Sequence, residues 1–430
     1  MFVNYKDQAN LIFADLHIHS KYSRATSRLM EPRFIAAYAE IKGLNIIGTG
    51  DFTHLLWLRT LRDELIKCED SEGLYELKEG TYDLKFILQT EVSTIFNFSG
   101  RTRKVHHVIL SPSFEVVDQI NDRLRFFGDL EADGRPTLNM SPPELVEILK
   151  SISDDVEIYP AHAWTPWYGV FGSKSGFNSL KECYQDKTDE IHALETGLSS
   201  DPPMNWRLSS LDKITLISAS DAHSPYPLRI GREATVFRLR KLSYFSIIHA
   251  IRSKNPTELI FTIEVPPQYG KYFFTGHRKC RVVLSPEESL KLGNICPVCG
   301  KKLTIGVKQR VEELANRPEL SRPPANFPGF VYMLPLEDIL NKVGLETNAG
   351  NLYNKLVDKA GNEYKVLIKM TYEEISQIAN KRLALAIKFL REGKFSFEPG
   401  YDGVYGRVTF PIEGKQVKRK FKTTSLEEFM

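Results

Sequence analysis

Leu11-Ile12-Phe13-Ala14-Asp15-Leu16-His17-Ile18-His19 decides how this chain is read. An aliphatic run ends in two histidines one residue apart. Side chains alternate along a strand, so both imidazoles point to the same side and can chelate one ion. The device returns twice: Pro160-Ala161-His162 follows the apolar run 156–159, and Asp221-Ala222-His223 follows 215–219. Imidazole and carboxylate together suit Zn, Mn or Fe, and one carboxylate can bridge two ions.

Working outward, further strand-like runs end in polar residues: 45–51 at Asp51, 86–90 at Glu91, and 191–194 at Glu195, while 105–110 carries His106 and His107. Helical patterns lie between several of them. One covers 32–41, with Pro32 in its first turn and Gly43 beyond its end; another covers 143–152. This alternation implies a parallel α/β sheet. Polar residues at nearly every strand end favour a barrel, whose strand ends share one mouth, over an open doubly wound sheet with a single switch point.

The chain has 430 residues, enough for two or three domains, and holds no run of 18 uncharged apolar residues. Met1-Phe2-Val3-Asn4-Tyr5-Lys6-Asp7 lacks the basic-then-apolar pattern of a signal peptide. A cytoplasmic protein without a membrane partner is expected. Five cysteines do not form a secreted disulfide framework, and Cys68 and Cys183 read as packing or surface thiols. Charge is uneven. Residues 1–265 carry 30 Lys and Arg against 36 Asp and Glu; residues 266–430 carry 27 against 18. An acidic metal-binding region beside a basic appendage fits an enzyme acting on a polyanion.

Pro266-Pro267 marks a change of character, and three units are expected: 1–264, 265–310 and 311–430. In the second, His277-x2-Cys280-x15-Cys296-x2-Cys299 offers four soft ligands in two pairs, the pattern of a tetrahedral structural zinc. Arg278, Lys279, Arg281, Lys301 and Lys302 flank it and point to DNA contact. A Pro-rich linker spans 317–328. The third unit reads as mainly helical. Its clearest helix covers 371–391, with Thr371 and Glu374 as a capping box, one face of Ile375, Ile378, Ala379, Ala386, Ile387 and Leu390, and Gly393 as its stop. The tail, 401–421, has strand-like pieces and a basic run at Lys418-Arg419-Lys420.

The series His17/His19, Asp51, Glu91, His106, His162, Asp221/His223 resembles the polymerase-and-histidinol-phosphatase (PHP) superfamily over residues 10–250. The resemblance implies a distorted (β/α)7 barrel with a multinuclear metal site that hydrolyses phosphate esters. It carries over His17, His19, Asp51, Glu91, His106, His162, Asp221 and His223 as ligands to two or three Zn, Mg or Mn ions, with Asp51, Glu91 and Asp221 as the catalytic carboxylates. His106 rather than its neighbour His107 is the ligand by the family's spacing. Phe52 stands where the family has a His after the Asp, and Arg24 lies where a further early ligand is common. His54 then substitutes, or the site is binuclear.

The order of parts narrows the resemblance. A PHP barrel, a Cys/His module and a basic helical region together are similar to the endonuclease Q family, as are Gly48-Thr49-Gly50-Asp51-Phe52-Thr53-His54 and Pro399-Gly400-Tyr401-Asp402-Gly403. That likeness implies an archaeal-type DNA repair endonuclease cutting 5′ to a deaminated base (hypoxanthine, uracil, xanthine) or an abasic site, in double- or single-stranded DNA. A small phosphate monoesterase and a DNA exonuclease are the alternatives. Two loops beside the metal residues are candidate DNA contacts. The first carries Arg24 and Arg28. The second, with Trp164, Trp167, Tyr168, Phe171, Ser173, Lys174 and Ser175, has aromatics to stack a flipped base and a cation for phosphate. A sliding clamp is a further candidate partner, though Ser425-Leu426-Glu427-Glu428-Phe429-Met430 is too generic to serve as its motif.

Overall fold

The structure is a computed structural model that describes residues 11–319, 323–324 and 327–412. Its strands are β1 (Leu11–Asp15), β2 (Ile46–Gly48), β3 (Leu65–Lys67), β4 (Tyr75–Leu77), β5 (Lys85–Phe98), β6 (Arg101–Ser111), β7 (Thr137–Leu138), β8 (Glu157–Pro160), β9 (Ala193–Glu195), β10 (Thr215–Ile217), β11 (Ala234–Arg238), β12 (Leu259–Glu264), β13 (Thr275–His277), β14 (Val282–Leu284), β15 (Gly329–Tyr332), β16 (Ser396–Glu398) and β17 (Arg407–Thr409).

β1, β2 and β5 run parallel side by side. β6 joins β5 and β8 in opposite sense to both. The end of β8 meets β9, where the Ala163 N–H donates to the Glu195 carbonyl at 3.0 Å, and β9 pairs in parallel with β10. The chain beyond β10 then returns to β1: Ala222 bridges Ile18 in parallel, and its carbonyl accepts from the His19 N–H at 3.0 Å. The ring of seven strands is the distorted PHP-type barrel.

The all-parallel expectation is corrected at β6. Ser99 (φ 49°) and Gly100 (φ 72°) both sit in the left-handed region and form the two-residue turn between β5 and β6. So short a connection permits only antiparallel pairing. The sheet also extends beyond the barrel on one side, with β11 antiparallel to β1, β12 antiparallel to β11, and β15 parallel to β12.

Helices cover the outside with amphipathic faces. Phe114–Leu124 starts where the Ser113 hydroxyl accepts from the Val116 N–H at 3.3 Å, and buries Val117, Ile120, Asn121 and Leu124, one stripe at helical spacing. Pro32–Lys42 has Pro in its first turn and ends on Gly43 at φ 99°. Helices Leu336–Lys342, Ala349–Ala360, Glu363–Ile368, Tyr372–Ile378 and Lys381–Arg391 build the C-terminal unit, followed by the hairpin of β16 and β17.

The single helix expected over 371–391 is two helices. Asn380 interrupts it by taking extended backbone and capping the second with its side chain, which accepts from the Leu383 N–H at 2.9 Å. Among the described residues no helix is long and apolar enough to cross a membrane. Lys418-Arg419-Lys420 and 425–430 lie outside the described residues, as does part of the Pro-rich stretch.

Candidate metal centre

The strand ends place polar side chains over one mouth, and the backbone there is strained. Asp51 (φ 45°), His162 (φ 30°) and Asp221 (φ 48°) all adopt left-handed conformations that L-residues rarely take. Such strain costs about 1–3 kcal/mol per residue and persists only where the surroundings enforce it. Ile18, between the two histidines, points into the core and is fully buried.

Each histidine is held from behind. His17 Nδ1 lies 2.8 Å from Glu195 Oε2, and His19 Nδ1 lies 3.0 Å from Asp51 Oδ1 and 3.1 Å from Ser23 Oγ. These partners fix the ring orientations so that Nε2 of each faces the cavity. There His19 Nε2 approaches Glu91 Oε2 at 3.2 Å and Asp221 Oδ1 at 3.1 Å, while His17 Nε2 is 3.6 Å from Glu91 Oε2. His17 Nε2, His19 Nε2 and Asp221 Oδ1 are buried without a hydrogen-bond partner. Three converging lone pairs with nothing to accept from suit a cation.

A second set shares Glu91. Its Oε1 lies 2.8 Å from His106 Nδ1 and 3.0 Å from His162 Nε2. Within each set, His17/His19/Glu91/Asp221 and Glu91/His106/His162, the ligand atoms lie within 4.8 Å of one another. Glu91 thus turns one oxygen to each set, as a bridging carboxylate does.

The electrostatics favour ligation. Burial alone would raise the pKa of Glu91, but His106, Arg135 and His17 outweigh it and hold the carboxyl well below its ordinary range. Asp221 is likewise lowered against burial, by the close approach of His19 and the charge of His17. Burial pushes His106 down to about 3, against the pull of Glu91. His17 and His19 are driven up despite burial, chiefly by Glu195 and Asp51 respectively. The protons they would carry mark positive charge that a metal ion can supply instead.

Two residues here had no site role assigned from the sequence. Glu195, which also accepts from the His162 N–H at 3.1 Å, stands at the strand end expected from the sequence, but without the orienting role it has here. Arg135 left no signal: it comes from an irregular loop and donates to Glu91 Oε2 at 3.0 Å. Asp51 stands behind His19 and accepts from the Ser20 N–H and the Ser23 hydroxyl (2.6 and 2.9 Å), outside both ligand sets. The His223 ring lies tilted against His19 (ring centroids 4.5 Å) at the mouth, also outside both sets. His54 stacks on Tyr22, and His107 turns away to Thr94 Oγ1 and Tyr184 Oη.

Comparison with known proteins places this geometry. The chain superposes on the crystal structure of the lesion-specific endonuclease PfuEndoQ from Pyrococcus furiosus with a TM-score of 0.83 and 32% identity, over 95% of this chain and 98% of that one. The chain belongs to the endonuclease Q family. A structure of endonuclease Q in complex with a 27-mer duplex substrate carrying an abasic lesion at the active site matches equally well, with a TM-score of 0.83 and 32% identity over 95% of this chain and 99% of that one. Residues 335–394 match the MJ0043 C-terminal domain family. The uncharacterized protein MJ0043 of Methanocaldococcus jannaschii is 31% identical over 258 residues; that match spans 58% of this chain and 31% of that protein.

As a member of the endonuclease Q family the chain is a nuclease. Its other ligand cluster lies apart from the barrel mouth. His277, Cys280, Cys296 and Cys299 converge within 4.8 Å, with Cys299 Sγ 3.4 Å from His277 Nδ1. β13 and β14 form the hairpin that carries His277, and the Gly300 N–H closes the Cys296–Cys299 turn by donating to the Cys296 carbonyl at 2.9 Å.

The aromatic loop divides. Trp164, Phe171 and Ser175 are buried, so they are not available to DNA. The Trp164 indole N–H donates to Asn205 Oδ1 (2.8 Å) and its ring packs on Phe171, while the Ser175 hydroxyl accepts from the Tyr168 N–H (2.9 Å). Their apolar bulk and local hydrogen bonds make them the loop's own core. The Ser173 hydroxyl donates to the Ile305 carbonyl at 3.3 Å, tying the loop to the segment before the Val307–Leu314 helix. Tyr168 stacks on His106 with ring centroids 4.2 Å apart, which braces that histidine. Trp167, Lys174, Arg24 and Arg28 are exposed.

Proposed function

We propose that this chain is a DNA repair endonuclease that hydrolyses the phosphodiester 5′ to a deaminated or abasic nucleotide. The observation that carries the reading is the pair of ligand sets sharing Glu91 in a chain that aligns along its length with a lesion-specific endonuclease. The relative held with an abasic duplex supports the choice of substrate.

His17, His19, Glu91 and Asp221 would hold one divalent ion, and Glu91, His106 and His162 a second; His223 is the candidate for a further position at the mouth. When bound, the ions supply Lewis acidity at the phosphoryl group. The chain's own part is orientation and charge. Glu195 and Asp51 aim the two histidines, Tyr168 braces His106, and Arg135 places a fixed cation beside Glu91 where charge builds up on the phosphoryl oxygens. The Asp221 and His223 side chains are 29% and 31% exposed, so this is the side from which substrate approaches.

Extruding a mispaired or abasic nucleotide costs less than extruding a paired one, which is one source of a lesion enzyme's selectivity. Trp167, exposed beside the Tyr272 ring at 5.5 Å, is the aromatic placed to stack on DNA, with Lys174, Arg24 and Arg28 toward phosphates. Zinc is proposed for the Cys/His cluster, since three thiolates and one imidazole suit it. The comparisons lend no support to a sliding-clamp partner.

A labelled duplex with one hypoxanthine or abasic site, beside its undamaged twin, tests the reading. A single cut 5′ to the lesion, absent with Asp221→Ala, is expected. Equal cutting of both duplexes would overturn lesion-directed cleavage and leave an unselective DNA nuclease; no cutting of either would return a small phosphate ester as substrate.

A further inference from the structure

We infer that the C-terminal helical unit presets the metal-binding ends of β1 and β10, with Tyr364 as the positioning residue. This rests on the reading that His17, His19, Glu91 and Asp221 hold a metal ion.

The path is a chain of buried hydrogen bonds. Asp15, two residues before His17, accepts at Oδ1 from the Ser220 N–H (2.9 Å) and at Oδ2 from the Ser220 hydroxyl (2.5 Å). Ser220 is the residue before Asp221, so Asp15 laces one ligand-bearing strand end to the other. Asp15 Oδ2 also accepts from the Gly231 N–H at 2.8 Å. On the far side of that residue, in the next peptide, the Gly231 carbonyl accepts from the Tyr364 hydroxyl at 2.6 Å. Tyr364 is 2% exposed and its ring packs on Phe13 of β1, with centroids 4.9 Å apart.

The fit around Gly231 is close. Its φ is +59°, and a Cβ there would lie 2.9 Å from both Tyr364 Oη and Lys42 Cγ. Lys42 ties the same loop to the same helix: its ammonium donates to the Pro227 carbonyl (2.8 Å) and to Glu363 Oε1 (2.7 Å). The loop from Asp221 to Gly231 is therefore gripped at Pro227 and Gly231 by the Glu363–Ile368 helix and its partner Lys42. Asp221 must hold a left-handed φ of 48° to present its carboxylate. A loop freed at its far end would let that residue relax toward ordinary backbone and withdraw the ligand. The C-terminal unit thus acts on the metal centre without contributing a ligand to it.

The test is a calorimetric Mn2+ titration of the full chain, which reads metal affinity rather than cleavage. Tyr364→Phe is compared with Tyr353→Phe, whose hydroxyl donates to Glu363 Oε2 at 2.7 Å. Both variants lose one hydroxyl from the same helical unit. Partners behind a ligand typically set affinity by about 10–100-fold, and this more remote one is expected to weaken Mn2+ binding by about tenfold in Tyr364→Phe and by less than about twofold in Tyr353→Phe. Gly231→Ala, which pushes Tyr364 away from the loop, should weaken it likewise, and decides the matter if Tyr364→Phe folds poorly. Wild-type affinity in Tyr364→Phe, or equal weakening in Tyr353→Phe, would overturn the inference. Absence of Mn2+ binding in the wild-type chain would instead remove the metal reading itself, and the inference with it.

Discussion

Glu91 holds the centre together because its two oxygens face different histidines. Replacing it with Gln should therefore loosen both ion positions at once, whereas His106→Ala should spare the set built on His17 and His19. Metal content after graded chelation distinguishes the two. Arg135→Met should keep the ions and lose turnover. A preorganised donor to developing charge is worth about 10²–10³ in rate, so single-turnover cleavage should fall by that order at unchanged metal content. An unchanged rate would confine Arg135 to neutralising Glu91. The aromatic loop makes a paired prediction. Trp164→Phe leaves the buried Asn205 amide oxygen unpaired and should cost about 1–3 kcal/mol of stability with lesion preference intact. Trp167→Ala should leave stability unchanged and weaken DNA binding, read by anisotropy.

At the scale of elements, the strands and their polar ends were legible because burial on both faces writes continuous apolar runs. His17, His19, Glu91, His162 and Asp221 stand where those runs stop. The reversal at β6 was not legible from periodicity, because an antiparallel strand buried on both faces looks like a parallel one; only Ser99-Gly100 carried the signal. Arg135 and the division of the aromatic loop were equally hidden, since tertiary packing alone decides which tryptophan is core. The split at Asn380 is open to a direct check. If Asn380 caps the Lys381–Arg391 helix, Asn380→Ala should lower the midpoint of thermal unfolding, at a cost of about 1 kcal/mol. In one continuous helix the same change would raise it, because Ala is the better helix former.

For the whole molecule, two buried carboxyls, one just before β11 and one at the end of β12, store a pH dependence. Glu233 and Glu264 are fully buried, and burial raises both well above the ordinary 4.5, helped by the charge of Glu264 at Glu233 and of Asp201 at Glu264. An acid with a raised folded pKa contributes its full stability below its unfolded value and loses it as pH climbs above that value. Glu264→Gln keeps the shape and removes the titration. Its stability relative to wild type should therefore improve steadily from pH 5 to pH 8 in urea unfolding, and a gap that does not move with pH would refute the assignment. The C-terminal unit joins the barrel through the Lys42–Glu363 pair, whose two side chains are 1% and 0% exposed. Removing one partner of so buried a pair costs about 3–5 kcal/mol, so Lys42→Met should unfold the two units together at a lower temperature.

The sharing of Glu91 is the claim on which the chemistry depends. Anomalous diffraction from crystals soaked in Mn2+ tests it most directly. Two peaks about 3.5–4 Å apart are predicted, one bounded by His17, His19 and Asp221 and the other by His106 and His162, each touching a different oxygen of Glu91. A single peak, or two that do not share Glu91, would contradict the account.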